Sequence, residues 1–265
     1  MSLSTAAYEY VRQLAAQESA LALGDGKAYL VEARLAPIAE REGCASVAEL
    51  IAAMPGRSIA LRDDVVQALT TNETSFFRDV HPFEALRDEL LPRAISARGR
   101  ASVWCAAAST GQEPYSIAML AADGFPAADI SILGTDLSRD VLARARDGLF
   151  SQLEVNRGLP APLLVRHFER VGTRWRVGAD IRRRVQFRQL NLARPWPVLP
   201  RMDVVMLRNV LIYFDKAART AVLAQLARVL APDGALVLGS SETAYEIADG
   251  WKRVQLGRAS FYQPA

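Results

Sequence analysis

Apolar residues recur at helical spacing through the first third of the chain. Leu3, Ala7, Tyr10, Val11, Leu14 and Ala15 mark a helix over residues 4–22. Gly24-Asp25-Gly26 breaks it, and Lys27 to Arg41 forms a second helix with Gly43 as its stop. Pro37 falls inside that helix and is expected to end or kink it. Ser46 caps a third helix running to Met54, with Glu49 completing a capping box. Arg62–Leu69 and Val80–Ser96 follow as a fourth and a fifth helix.

The texture then changes. Short apolar runs at Ala101–Ala107, Ile130–Asp136, Val185–Leu190, Met202–Leu207 and Ala235–Gly239 read as buried strands. Helices at Pro114–Ala122, Ser138–Arg146 and Ala217–Leu230 lie between them. Trp251–Val254 and Ser260–Tyr262 predict a terminal hairpin. Alternation of strands and helices argues for a doubly wound α/β sheet. Residues 159–184 break the rhythm with β-like pieces at Arg174–Val177 and Ile181–Val185, which suggests an insertion. The organisation read from this pattern is a helical domain over 1–80 and a sheet domain over 81–265, with a small β-subdomain inserted at about 159–184.

The 265 residues, 51% hydrophobic and 23% charged, exclude wholesale disorder. No apolar run approaches the length of a membrane span, and Met1 to Arg12 lacks the pattern of a signal peptide. Two cysteines, Cys44 and Cys105, fit a reducing cytoplasm, and no cluster has metal-ligand spacing. The net charge of +3 is uneven. Residues 1–70 carry nine acids against six bases, whereas Arg166–Arg188 holds eight arginines against Glu169 and Asp180. Such a block is a solvated face or a contact for an acidic partner.

Ligands of open α/β sheets sit beyond the carboxyl ends of the strands. There the first strand runs into Ala106-Ala107-Ala108-Ser109-Thr110-Gly111-Gln112-Glu113-Pro114, small residues that let a ligand approach the backbone. The pattern lacks the glycines of a diphosphate cradle. Asp136 closes the next strand, where a carboxylate can accept both ribose hydroxyls. The pair suits an adenosine cofactor without a diphosphate, S-adenosylmethionine above all; a tight turn that serves only helix–strand packing fits the same letters. Polar clusters at Thr71–Asp79, Asn191-Leu192 and Arg208–Asp215 sit at the linker and at strand ends, while Phe76, Phe77, Leu211 and Phe214 read as core.

Taken together, Thr71–Asp79, Ala106–Ser116, Gly134–Ser138, Asn191-Leu192, Arg208–Asp215 and Pro232–Glu242 resemble the CheR family, the S-adenosylmethionine-dependent glutamate methyltransferases of bacterial chemoreceptors. The resemblance implies a Rossmann-like class I methyltransferase sheet, an N-terminal helical domain and the inserted β-subdomain. It implies cofactor contacts at Asn72, Thr74, Arg78, Glu113, Asp136, Asn191, Leu192, Arg208 and Asn209, and active-site roles for Arg78 and Tyr213. The implied partner is the cytoplasmic helical domain of a chemoreceptor, met by a monomer that uses neither nucleic acid nor metal.

Two features depart from the family pattern. The second helix is poor in arginine, and the layer around it is acidic. The loop Arg170–Trp175 is short, so the insertion of relatives that bind a receptor's C-terminal pentapeptide is missing. The arginine block of the same subdomain would instead meet an acidic receptor flank, in binding that weakens as salt rises. Two rivals remain at this level. A nucleic-acid methyltransferase would carry an Asn-Pro-Pro-aromatic turn where Arg208-Asn209-Val210-Leu211 stands. A cofactor-binding adaptor or sensor with little catalysis would need no intact Arg78 and Tyr213.

Overall fold

The computed structural model describes residues 3–244 and 250–265. Four helices, α1 (Thr5–Ser19), α2 (Ala28–Arg41), α3 (Val47–Ala53) and α4 (Ile59–Ala68), pack around Val11, Leu35, Leu50 and Val65. Ser4, Ser46 and Ser58 cap α1, α3 and α4 with their hydroxyls. The box expected at Ser46 is only half made, because the Glu49 carboxylate accepts from the Ala45 amide at 2.6 Å, one residue before the cap. Pro37 neither ends nor divides α2. Leu35, Ile38 and Ala39 on either side of it are buried, and their packing offsets the lost backbone bond.

The fifth predicted helix is three pieces. α5 (His81–Ala85) and α6 (Leu91–Arg98) flank a π turn over Leu86–Leu90. Pro92 has no N–H to donate to the preceding turn, and the Leu91 amide reaches back five residues to the Leu86 carbonyl instead.

The sheet domain contains β1 (Arg100–Cys105), α7 (Gln112–Gly124), β2 (Asp129–Asp136) and α8 (Arg139–Asp147). Next come β3 (Leu149–Ser151), α9 (Gln152–Asn156), α10 (Ala161–His167), β4 (Phe168–Val171), β5 (Arg174–Val177) and α11 (Ala179–Arg182). β6 (Val185–Gln189), β7 (Met202–Leu207), α12 (Lys216–Val229), β8 (Leu230–Leu238), β9 (Trp251–Leu256) and β10 (Ala259–Pro264) complete it. Seven strands form one sheet in the order β6-β2-β1-β7-β8-β10-β9. The five from β6 to β8 are parallel, and β10 and β9 are antiparallel additions. This is the Rossmann-like sheet that the sequence predicted. The near-continuous burial of β7 shows why its run carries no alternation: helices cover both faces.

β3, β5 and β4 make a separate antiparallel sheet. It draws on Leu149–Ser151, earlier than the expected start at residue 159, because a three-residue strand leaves too little pattern to read. Ile181 belongs to the short helix α11, not to a strand, and the Arg182–Arg184 run carries the chain into β6. Phe76 of the linker fills this subdomain, its ring 5.0 Å from Phe150 and 5.7 Å from Phe168 in edge-on contacts.

Candidate active site

Strand order reverses between β1 and β7, and the crevice beyond the carboxyl ends of the strands opens there. It is a cleft of about 950 Å³, counted to its open mouth. Ala106 and Ala107 after β1, Asp136 and Leu137 at β2, Leu190 to Leu192 after β6 and Arg208 to Val210 after β7 form its floor. Thr70 to Ser75 of the linker and Ser19 and Leu21 of the helical layer wall the opposite side. The layer is held there by several bonds. The Asn191 amide donates to the Glu18 carbonyl (2.7 Å), the Ala22 N–H to the Tyr213 carbonyl (2.8 Å), and the Ser109 hydroxyl to the Asn72 carbonyl (2.8 Å).

All nine residues expected at a cofactor site, together with Tyr213, line this one cleft. Their side chains are committed to different degrees. Asp136 is buried. Its Oδ2 accepts from the Ser109 N–H at 2.8 Å and its Oδ1 from the Ser138 N–H at 3.0 Å. Burial pushes its carboxyl above the usual range, and these backbone donors pull it back. The Leu137 backbone adds a third donor, and the carboxylate still keeps acceptor capacity for a hydroxyl. Asn191 is largely spent on the protein, since its Oδ1 also accepts from the Ala193 N–H at 2.9 Å.

Arg208 is the centre of a buried charge group. Its side chain is 2% exposed and donates to Glu113 (2.9 Å), Asp79 (2.6 Å) and the Arg78 carbonyl (2.8 Å). Burial raises the Glu113 carboxyl, opposed by Arg208 and by the Cys105 thiol. Arg78 differs. It donates only to the Glu73 carbonyl at 3.2 Å and has no carboxylate within ion-pair distance among the described residues.

Backbone strain gathers here as well. Among the described residues the non-glycine positions with positive φ are Ala20, Phe77, Asp79, Val80, Ser109 and Asn209, and every one borders the cleft or is within two residues of its wall. A β-branched residue such as Val80 at φ 49 costs roughly 1–3 kcal/mol. Gly111, at φ 96, serves the same turn as Ser109 without that cost. Sequence reasoning missed Ser109, whose left-handed backbone aims its amide at Asp136, because serine in a small-residue run reads as filler. It also passed over Glu242 as a site residue, although the string that ends on it was noticed.

The groups present suit S-adenosylmethionine. A buried strand-tip carboxylate is able to accept a sugar diol, apolar Leu137, Leu190 and Leu192 offer a wall for a base, and mixed charge surrounds Arg208 where a zwitterionic amino acid can sit. Asp136→Asn would turn an N–H donor against a backbone donor. We expect it to weaken S-adenosylhomocysteine binding about 30-fold by titration calorimetry, since bonds to charged groups contribute about 1.5–3 kcal/mol each.

Comparison with known proteins agrees with this geometry. The profile of the family described as CheR methyltransferase, SAM binding domain, matches residues 72–259. Chemotaxis protein methyltransferase 1 of Pseudomonas aeruginosa is 39% identical over 99% of both chains. Chemotaxis protein methyltransferase Cher2 of Pseudomonas putida is 37% identical over 99% of both. A chemotaxis protein methyltransferase of Vibrio parahaemolyticus is 35% identical, covering 99% of this chain and 98% of its own. A match of this extent over the strands, the linker and the cleft makes the chain a member of the CheR methyltransferase family, with S-adenosylmethionine as its cofactor.

Proposed function

We propose that this chain methylates glutamate side-chain carboxylates of a bacterial chemoreceptor, forming methyl esters that tune adaptation. The observation that carries the reading is Arg78. Among the described residues it is the cleft-lining cation with no carboxylate within ion-pair distance, beside an Arg208 that already holds two. A guanidinium fork left open in this way is suited to an incoming carboxylate.

Asp136 holds the cofactor's sugar, Leu192 its base, and Glu113 with Arg208 its amino-acid end, while Asn72, Thr74, Asn191 and Asn209 complete the wall. The bound cofactor supplies a methyl group on a sulfonium, whose departure leaves a neutral thioether. The acceptor glutamate is ionised at neutral pH, its reference pKa being about 4.3, so no general base is required. What the chain contributes is orientation and exclusion of water, worth roughly 7–11 kcal/mol at best. Arg78 aims the acceptor carboxylate, and the Tyr213 hydroxyl fixes it with a hydrogen bond.

Basic residues of α2 are engaged within the chain, which speaks against docking on substrate through this helix. Arg34 donates to the Leu69 carbonyl and the Thr71 hydroxyl, and Arg41 is paired with Asp64 (2.7 Å), so both serve the helical layer itself. Around the small sheet Arg166 of α10, Arg176 of β5 and Arg183 after α11 pair with Asp123, Asp147 and Asp180, which dilutes the basic face that a nucleic acid would need. Cys44 and Cys105 are free thiols, in keeping with a cytoplasmic setting. β4 and β5 are joined by Gly172-Thr173 alone, a turn with no room for a peptide-binding insertion. A receptor tail ending in a C-terminal pentapeptide is therefore expected to give no micromolar complex in calorimetry, and such a complex would overturn pentapeptide independence.

The deciding experiment is incubation with labelled S-adenosylmethionine and receptor fragments. Base-labile label on the fragment is the expected ester. Base-stable label would mean another acceptor, and cofactor binding without transfer would mean an adaptor.

A further inference from the structure

Beyond the tip of β8 the chain folds back over Gly239-Ser240-Ser241-Glu242, with the Glu242 N–H bonded to the Gly239 carbonyl at 3.0 Å. The Glu242 side chain then reaches the loop after β7. Its Oε2 accepts from the Asn209 N–H (2.6 Å) and the Gly239 N–H (2.7 Å). Its Oε1 accepts from the Val210 N–H (2.9 Å) and, more weakly, the Ile212 N–H (3.4 Å). Asn209 has φ 57, and successive amides arranged around a left-handed residue form a concavity for an anion. The chain fills that concavity with its own carboxylate. Gly239 is required by the same arrangement: a Cβ there would lie 2.7 Å from both Glu242 Oε2 and the Asn209 side-chain nitrogen.

Glu242 does not line the cleft, but Asn209 and Val210, whose amides it binds, do, and so does Tyr213, whose N–H bonds the Val210 carbonyl at 3.1 Å. We propose that Glu242 is a positioning residue for methyl transfer: its carboxylate holds the 209–213 loop in the shape that presents Asn209 to the cofactor and Tyr213 to the acceptor. The far end of the loop is fixed by the buried Leu211 and Phe214 and by the Ala22 N–H bond to the Tyr213 carbonyl, which leaves its entry at Asn209 and Val210 to Glu242. The loop is a single 3₁₀ turn over Leu211–Tyr213, entered through a strained residue. A neutral amide of the same size cannot replace the carboxylate, because two donors would then face one another at one of its ends.

The proposal rests on the catalytic reading of the cleft, so the test pairs turnover with two measurements that need no acceptor. In Glu242→Gln, hydrogen exchange should accelerate about tenfold or more in the 208–214 segment, while the sheet strands keep their protection. Affinity for S-adenosylhomocysteine should fall about tenfold, and turnover on a receptor fragment should fall by at least as much at saturating cofactor. Gly239→Ala should reproduce these losses, and the double variant should be no worse than either single one.

Wild-type exchange and affinity in the glutamine variant would overturn the proposal, as would losses that multiply in the double variant. A general loss of protection would do so too, since it would make Glu242 a stability residue only. Should the variants not fold, the wild-type chain decides. Its Asn209 and Val210 amides must exchange far more slowly than those of Ser240 and Ser241, and fast exchange refutes the clamp. If no receptor fragment accepts methyl from the wild type, the substrate assignment fails while exchange and affinity still judge Glu242.

Discussion

Replacing Arg78 with alanine should lower methyl transfer about 10²–10³-fold at saturating cofactor, with a melting temperature within about 2 °C of wild type. The split between rate and stability follows from how little the folded chain uses this side chain. Among the described residues one bond to the Glu73 carbonyl is lost, and Glu113, which also feels the Arg78 charge, keeps its ion pair with Arg208. Removing the fork leaves an acceptor carboxylate free to rotate and to stay hydrated, and both raise the barrier. Arg78→Lys tests the geometry apart from the charge. A lysine ammonium is a point charge that cannot engage both carboxylate oxygens in one plane, so it should recover only part of the loss. Single-turnover transfer of label to a receptor fragment, read beside a thermal melt, measures both quantities. A wild-type rate with saturating cofactor would remove Arg78 from the chemistry.

How much of this was legible beforehand depends on the range of the interaction. Elements with several turns or a full buried run declared themselves. β1, β2, β6 and β7 fall on the apolar runs read at Ala101–Ala107, Ile130–Asp136, Val185–Leu190 and Met202–Leu207, and the strand tips located the cleft. Asp136 was readable because an acid ending an apolar strand has few other uses. Local rules failed where a neighbour distant in sequence decides. Pro37 is tolerated in α2 because of packing from other helices, which spacing along one helix does not reveal. The π turn at Leu86–Leu90 is a response to Pro92, visible only as a proline in an otherwise helical pattern. Asn191 lies at the cleft as expected, yet its amide joins the two layers through Glu18, a contact spanning most of the chain. Glu242 is the clearest case. A glutamate near a glycine and two serines reads as a surface turn, and only the return of the chain beyond β8 brings it onto the Asn209 and Val210 amides.

Removing the positive charge at Arg208 should act on stability first. Arg208→Met keeps the volume but leaves Glu113 and Asp79 without their shared partner. Breaking a buried pair from one side costs about 3–5 kcal/mol. Glu113 is 11% exposed and carries most of that cost, whereas Asp79, 39% exposed, recovers water, so the lower end applies. A loss of about 3 kcal/mol corresponds to a fall in melting temperature of roughly 6–12 °C for a chain of this size. The pH dependence identifies the cause. Burial already holds the Glu113 carboxyl above its unfolded value, with Arg208 the largest opposing influence. A folded group that holds its proton more tightly than the unfolded one contributes stability that is full below the unfolded pKa. That contribution is lost as pH rises through the folded pKa. Without Arg208 the folded value rises further, so the window of loss extends upward. The difference between variant and wild type should therefore shrink as pH falls below neutral, because Glu113 takes up a proton and no longer needs a cation. Glu113→Gln in the same background should recover much of the loss at neutral pH, since a neutral amide tolerates burial better than a lone carboxylate. A difference in melting temperature that stays constant with pH, or that the second substitution leaves unchanged, would place the cost in lost packing against Phe83, whose ring lies 5.7 Å from the guanidinium, rather than in an abandoned charge.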